Sequence, residues 1–471
     1  MQKKLADKVF GHVEASKDLK LLLVIGGLYA LSVALSNTFV NIFLWKQSGK
    51  FMDLALYNLM SVMLQPLAFI LAGKLTKRID RVFILRLGVS IMSLFYITVL
   101  LAGSHAADYL LLLGALLGAG AGCYWLAFNV LTFEVTEPDT RDFFNGFLGL
   151  LTSFAGMTGP LLAGFIITRM TGYRGYFLIF ACSLTLFLIG VILTMWLSKR
   201  HAKGKLQLGE VLKERRRNKD WARILCAHLF QGFREGTFAF VIVVWVYVTT
   251  GNELALGTYG LVTSSVQLVV YYLAARLLKR AFRKRAILVG GCILYGAIFI
   301  LLFHLSFAKL ITYGVFISIA YPLLLIPYIS LTYDVIGRSY NAAELRVEYI
   351  IIRECVLNTG RILSILLFIA AISLFPEKQA IPAVLLLVGS GHLWIYFFVR
   401  NIQLSPKILS LAMCNMQGTQ TGKIALEARC NFFSAFDRLC RPYYNKQELP
   451  AMFVCFFMFR TLNVKKGVLY D

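Results

Sequence analysis

The chain has 471 residues, of which 58% are hydrophobic and only 15% charged, and its formal net charge is +24. A mean hydropathy of +0.71 is too apolar for a soluble globular protein and places the chain in a membrane. Its Lys and Arg residues fall in short connections between apolar runs, where positive charge orients helices, so the basic balance does not indicate nucleic acid as a partner.

In chain order, the opening stretch MQKKLADKVFGHVEASKDLK is polar for too long to be a cleaved signal peptide. Residues 1–19 read as an N-terminal segment on the cytoplasmic side. Twelve apolar runs follow, near 20–46, 51–73, 83–103, 108–133, 143–168, 173–197, 222–248, 253–275, 286–306, 309–333, 347–373 and 379–399. Each is long enough to cross about 30 Å of hydrocarbon at about 1.5 Å per residue. The runs are continuous rather than alternating, which predicts helices and not a barrel. Lys and Arg crowd alternate connections, including 74–86, 199–223 and 276–285, and are sparse on the others. That bias puts both termini in the cytoplasm of a multi-pass plasma-membrane protein.

The connection SKRHAKGKLQLGEVLKERRRNKD, Ser198 to Asp220, divides six spans from six. The expected organisation is a first six-helix half over 20–197, a basic linker over 198–221, a second half over 222–400, and a tail over 401–471 to which no role is assigned. Internal repetition supports the halves. TFVNIFLW (Thr38–Trp45) meets TFAFVIVVW (Thr237–Trp245), and LAL at Leu54–Leu56 meets LAL at Leu254–Leu256. GKLTKRIDRVFILRLG from Gly73 meets ARLLKRAFRKRAILVG from Ala275, and LTFEV (Leu131–Val135) meets LTYDV (Leu331–Val335). An offset that stays near 200 across four landmarks marks structural repeats. Two halves of even span number are related by an axis along the membrane normal, with a substrate path between them.

Several spans carry polar residues. Span 1 has Ser32, Ser36, Asn37 and Asn41, and span 4 has Tyr124, Trp125 and Asn129. These residues either complete a pocket or hold helices together. A charged side chain at the centre of a spanning helix costs about 2.5–3.5 kcal/mol, so it faces a cavity or a partner. In span 7, HLFQGFREGTF places His228, Gln231 and Glu235 on one face with Arg234 beside them. In span 11, RECVLNTGR places Glu354, Asn358 and Arg361 on another, with Arg353 adjacent. Two such stripes suggest a buried polar site, or else static ion pairing that orders the bundle. Span 10 contains Pro322 and Pro327, which predict a kinked helix.

No sequence signal for catalysis is present. GTQTGKI (Gly418–Ile424) is one residue short of a phosphate loop and ends in Ile, and neither H-E-x-x-H nor G-x-S-x-G occurs. The cysteines form no C-x-x-C pair, so no disulfide framework or metal site is signalled. The chain is therefore expected not to be an enzyme and to need no cofactor.

The 6+6 layout, the 6–7 connection and the loop G-x-L-x-x-R-x-x-R after spans 2 and 8 resemble the major facilitator superfamily over about residues 20–400. Within it, the sequence is similar to the YqgE-type transporters. The loop matches at Gly73, Leu75, Arg78 and Arg81, but Lys77 stands where the family usually has Asp and Asp80 where it has Gly. Gly73, Arg78 and Arg81, and Arg280 and Arg283 in the second copy, either mark the cytoplasmic side or form gating loops whose fixed charges hold neighbouring helix ends in one state and release them in the other; the repeat keeps spacing as well as charge, which favours gating. Gly146, Ala155, Gly159, Pro160, Ala163 and Gly164 match the antiporter signature G-x8-G-x3-G-P-x2-G-G with Ala replacing Gly twice. Small residues in that pattern also serve ordinary helix packing, and Gly114 stands where many proton-coupled members carry Arg, which speaks against antiport. The resemblance implies an all-α membrane protein of twelve helices in two pseudo-symmetric halves. It implies a secondary active transporter moving a small solute by alternating access, read here as a proton-coupled exporter. Glu235 and Glu354 are the candidate proton carriers. The alternative is a transporter-like receptor or scaffold that binds without cycling.

Overall fold

Apolar runs of this length leave the backbone one way to pair its N–H and C=O groups in hydrocarbon, which is within the run itself. Each run is helical in the computed structural model, which describes residues 16–402 apart from 137, 200–204, 279–281 and 303–304. The unassigned tail lies outside the described residues, except for its first two positions.

The first half comprises α1 (Lys17–Ser48), α2 (Phe51–Thr76), α3 (Arg81–Ala102), α4 (Leu110–Val135), α5 (Pro138–Arg169) and α6 (Arg174–Thr194). A short helix, α7 (Leu208–Arg217), lies in the connection. The second half comprises α8 (Lys219–Thr250), α9 (Glu253–Leu277), α10 (Arg283–Gly296, extended by a 3-10 turn to Leu301), α11 (Phe307–Ile336), α12 (Arg346–Leu374), and the pair α13 (Glu377–Gly389) and α14 (Gly391–Val399). Among the described residues, eleven helical stretches are long and apolar enough to span a membrane. One of these, Arg81–Thr132, covers α3 and most of α4, which accounts for twelve crossings. Leu71, Leu101, Phe154 and Leu374 point outward with much of their surface exposed, as lipid-facing side chains do.

Local sequence sets the helix ends. Ser16 caps α1 by accepting from Leu19 N at 3.2 Å, and Asn218 caps α8 by accepting from Asp220 N and Trp221 N at 3.1 Å each. The far ends of the same two helices stop at Gly49 (φ +65°) and Gly251 (φ +62°). Each glycine donates its N–H four residues back, to Trp45 and Tyr247. Only glycine takes that left-handed turn at no steric cost.

The packing repeats as the sequence does. In the first half α1 packs on α5 and α6, α2 on α4, and α3 on α4 and α6. In the second half α8 packs on α12 and α14, α9 on α11, and α10 on α11 and α14. Advancing each span by six turns the first set into the second. Between the halves α2 meets α12, α5 meets α9 and α1 meets α8, a set that the same operation maps onto itself.

The linker is more structured than its charge suggests. Val211 of α7 is buried, and its carbonyl accepts from Trp221 Nε1 at 3.3 Å. The face bearing Arg215, Arg216 and Arg217 stays in solvent.

Candidate functional site

Two glycines let α8 and α12 touch along their backbones. A Cβ added to Gly232 would lie 1.9 Å from the Leu357 carbonyl oxygen, and one added to Gly360 would lie 2.0 Å from that of Leu229. Close crossing of this kind is what small residues provide inside a membrane bundle. It brings the two polar stripes together.

Arg361 Nη2 donates to Glu235 Oε2 at 2.6 Å and Nε donates to the same oxygen at 3.3 Å. Glu235 Oε1 accepts from Gln231 Nε2 at 2.9 Å and from the Tyr321 hydroxyl at 3.0 Å. Arg361 Nη1 reaches Asn358 Oδ1 at 3.3 Å, and Asn358 Nδ2 donates to the Glu354 carbonyl at 3.0 Å. A buried ion pair persists only when its spare lone pairs and protons are also occupied, as they are here. Nearer the basic end, Arg353 Nη2 pairs with Glu354 at 2.5 Å and lies over the Tyr333 ring. His228 contacts the Tyr328 hydroxyl through Nδ1. Towards the other end Thr237 and Ser364 exchange hydrogen bonds, with Oγ atoms 2.7 Å apart.

The first half contributes aromatic groups instead of charge. Tyr29 and Tyr124 stack with ring centroids 3.6 Å apart, and Trp125 stands edge-on to both. They line a 260 Å³ cavity with Phe128, Ala34 and Gly156. Gly156 faces Ser264 of α9, so this cavity borders the seam between the halves. Asn41 lies elsewhere, accepting from Asn58 Nδ2 at 2.9 Å and donating to the Asn37 carbonyl at 3.4 Å. Asn37 and Asn129 are half-buried. Ser32 and Ser36 join helices: Ser32 exchanges bonds with Ser183 of α6, and Ser36 contacts Tyr96 of α3.

Sequence reasoning passed over Tyr321 and Tyr328 on α11, Tyr29 on α1 and Asn58 on α2. A signal existed for the first two, because they sit seven residues apart on the one span with two prolines. Tyr29 and Asn58 carried none, since a lone polar residue in an apolar run is ordinary.

A family model described as Major Facilitator Superfamily matches residues 22–343. The chain belongs to that superfamily. It is 58% identical over 400 residues to Uncharacterized protein YqgE of Bacillus subtilis (strain 168), covering 85% of this chain and 93% of that protein. It is 65% identical over 173 residues to an Uncharacterized protein in sodM 3'region of Geobacillus stearothermophilus, covering 37% of this chain and 81% of that one. Among solved structures, that of the human organic anion transporter MFSD10 (TETRAN) superposes with a TM-score of 0.60, over 82% of this chain and all of that one. At 12% identity this likeness shows the shared fold alone.

The last arginine of the loop is paired in both copies. Arg81 pairs with Glu134 of α4, and Arg283 Nη1 pairs with Asp334 Oδ2 of α11 at 3.0 Å. The arginines come from one repeated landmark and the acids from another. Arg78 is exposed, and Arg280 lies outside the described residues. Gly73 packs against Ile351 of α12. Lys77, which replaces the usual Asp, pairs with Glu348 in the first turn of α12 at 3.2 Å. At the opposite end Lys46 of α1 pairs with Glu253 of α9 at 2.9 Å, and Tyr176 donates to the same carboxylate at 2.8 Å. A 510 Å³ cavity opens beside this pair.

The antiporter-signature residues lie at interfaces. Gly159 meets Ala34 of α1, Gly164 meets the Glu253 carbonyl, and Pro160 meets Gly257 and Gly260 of α9. Gly146 lies in the first part of α5.

Proposed function

We propose that the chain is a secondary active transporter that exports a small organic solute in exchange for protons, by rocking residues 20–197 against residues 222–400. The observation that carries this reading is the placement of inter-half ion pairs at both ends of the bundle. Lys77–Glu348 lies at the basic end and Lys46–Glu253 at the other, with the polar and aromatic groups between them. Alternating access needs closures of this kind, each able to part while the other holds.

The basic end faces the cytoplasm of the plasma membrane, on the charge bias of the loops. Reporters fused at Arg283 and Gly251 should read cytoplasmic and external respectively. The aromatic cavity around Tyr29, Tyr124 and Trp125 seats the apolar part of the solute, and the Glu235–Arg361 pair is where a proton is exchanged for it. The antiporter signature on α5 supports exchange over uniport.

Flux tests the reading directly. Labelled organic solutes are loaded into proteoliposomes with and without an imposed pH gradient. Saturable efflux that the gradient accelerates is expected. A solute that raises the melting temperature of the protein yet never crosses would instead make it a receptor or scaffold.

A further inference from the structure

Arg234 stands apart from the ion pairs around it. It occupies the midpoint of α8 and is 5% exposed, and its Nε and Nη2 have no hydrogen-bond partner among the described residues. The guanidinium lies 4.5 Å from the Phe238 ring centroid. Tyr259 of α9 lies within reach of its charge, and the Tyr313 hydroxyl of α11 hydrogen-bonds the guanidinium, which leaves Nε and Nη2 open. The start of α14 packs against it, since a Cβ on Gly391 would come 3.3 Å from Arg234 Cβ. The following residue, His392, is fully buried, and neither of its ring nitrogens has a partner among the described residues. Its ring lies 6.0 Å from that of Tyr321, which bonds Glu235.

The nearby carboxylates are already engaged. Glu235 is held by Arg361 and Glu354 by Arg353. The stripes of α8 and α12 thus set three arginines against two carboxylates, and the uncompensated charge is that of Arg234. Arginine does not shed its proton in proteins, so burial cannot neutralise it. A charge in this position within a spanning helix is expected to find a counter-charge. The guanidinium fork fits a carboxylate or a small anion, and the His392 imidazole, close enough to interact with the Arg234 charge, offers an N–H as a second donor.

We propose that Arg234 and His392 form a binding site for a small monoanionic group, inside the second half and next to the Glu235–Arg361 pair. This deepens the transporter reading by giving the solute a negative charge, if the anion is the solute's own carboxylate. The same donors would take a free halide, and the two sources separate by experiment.

The test uses the full chain, purified in detergent and melted during titration with sodium acetate or sodium chloride. The wild-type melting temperature should rise saturably, by about 5 °C when the anion is far above its dissociation constant. Arg234→Gln should show only the generic salt response. In low salt it should melt at or above wild type, because an unpaired buried charge has been removed. His392→Gln should weaken the acetate midpoint about fivefold. If Arg234→Gln is not recovered folded, Arg234→Lys keeps the charge without the fork and should shift the midpoint about tenfold. Saturation by acetate but not chloride assigns the site to a solute carboxylate, and saturation by chloride with competition from acetate assigns it to a free anion. A wild-type protein with no saturable response to either salt, or a variant response equal to it, overturns the proposal. Binding is read without any gradient, so that failure would leave the transporter reading to stand or fall on flux.

Discussion

Lys77 of α2 and Glu348 of α12 face one another across the two halves at 3.2 Å, with the Glu348 side chain fully buried. The superfamily's loop usually places an acid at the Lys77 position, and here a base at that position meets an acid of α12. A carboxylate in the first turn of α12 also favours the positive end of that helix. The linker joins the same contact, because Gln207 N donates to Glu348 Oε1 at 3.4 Å. The contact between α2 and α12 at the basic end is therefore an ion pair with the base on α2 and the acid on α12.

Charge exchange tests this pair. Lys77→Glu or Glu348→Lys alone leaves a buried charge unpaired, which costs about 3–5 kcal/mol in the closed arrangement and should cut flux severely. The double variant restores the pair in the opposite sense. Flux should return to within a few-fold of wild type, and a double variant as poor as either single one would show that the contact is incidental.

Glu235 is expected to couple transport to the proton gradient. Glu235→Gln keeps hydrogen bonding to Gln231 and Tyr321 but releases Arg361 from its counter-ion. Gradient-driven accumulation should fall by about tenfold or more while solute exchange across the membrane persists. Normal pH dependence in both this variant and Glu354→Gln would make the two residues structural ion-pair members.

The crossing of α8 and α12 depends on having no side chain at two positions. Gly232→Ala and Gly360→Ala should each destabilise the protein by about 1–3 kcal/mol, read as a lower melting temperature in detergent. Gly149→Ala has open space around it and should not. Equal behaviour of all three would mean that the helices part easily at this crossing.

Much of this arrangement could be read from the chain, because the features concerned are local or repeated. The 200-residue offset aligned Arg81 with Arg283 and Glu134 with Asp334, and both pairs form. The stripes of spans 7 and 11 were legible because helical spacing puts Glu235 and Arg361 each on one face, and an unpaired charge in hydrocarbon predicts a partner. Which partner each found was not legible. Arg353 took its own neighbour Glu354, and Lys77 found Glu348, since pairing across helices depends on rotation and depth that no local period encodes. His392 was invisible for the same reason: a single histidine in an apolar run has no pattern, and its proximity to Arg234 arises from the turn at Ser390 that splits the last span.

If the two halves open at opposite ends in turn, distances across the two ends measure it most directly. Spin labels are placed near Lys77 and Glu348 in one preparation and near Lys46 and Glu253 in another, on a background without native cysteines. Pulsed dipolar spectroscopy is then recorded in lipid nanodiscs for wild type and for Glu348→Gln. Glu348→Gln should shift population towards longer distances at the basic end while the other end holds its short, paired distance. Distances that stay single and unchanged at both ends, or that lengthen together, would contradict opening in turn.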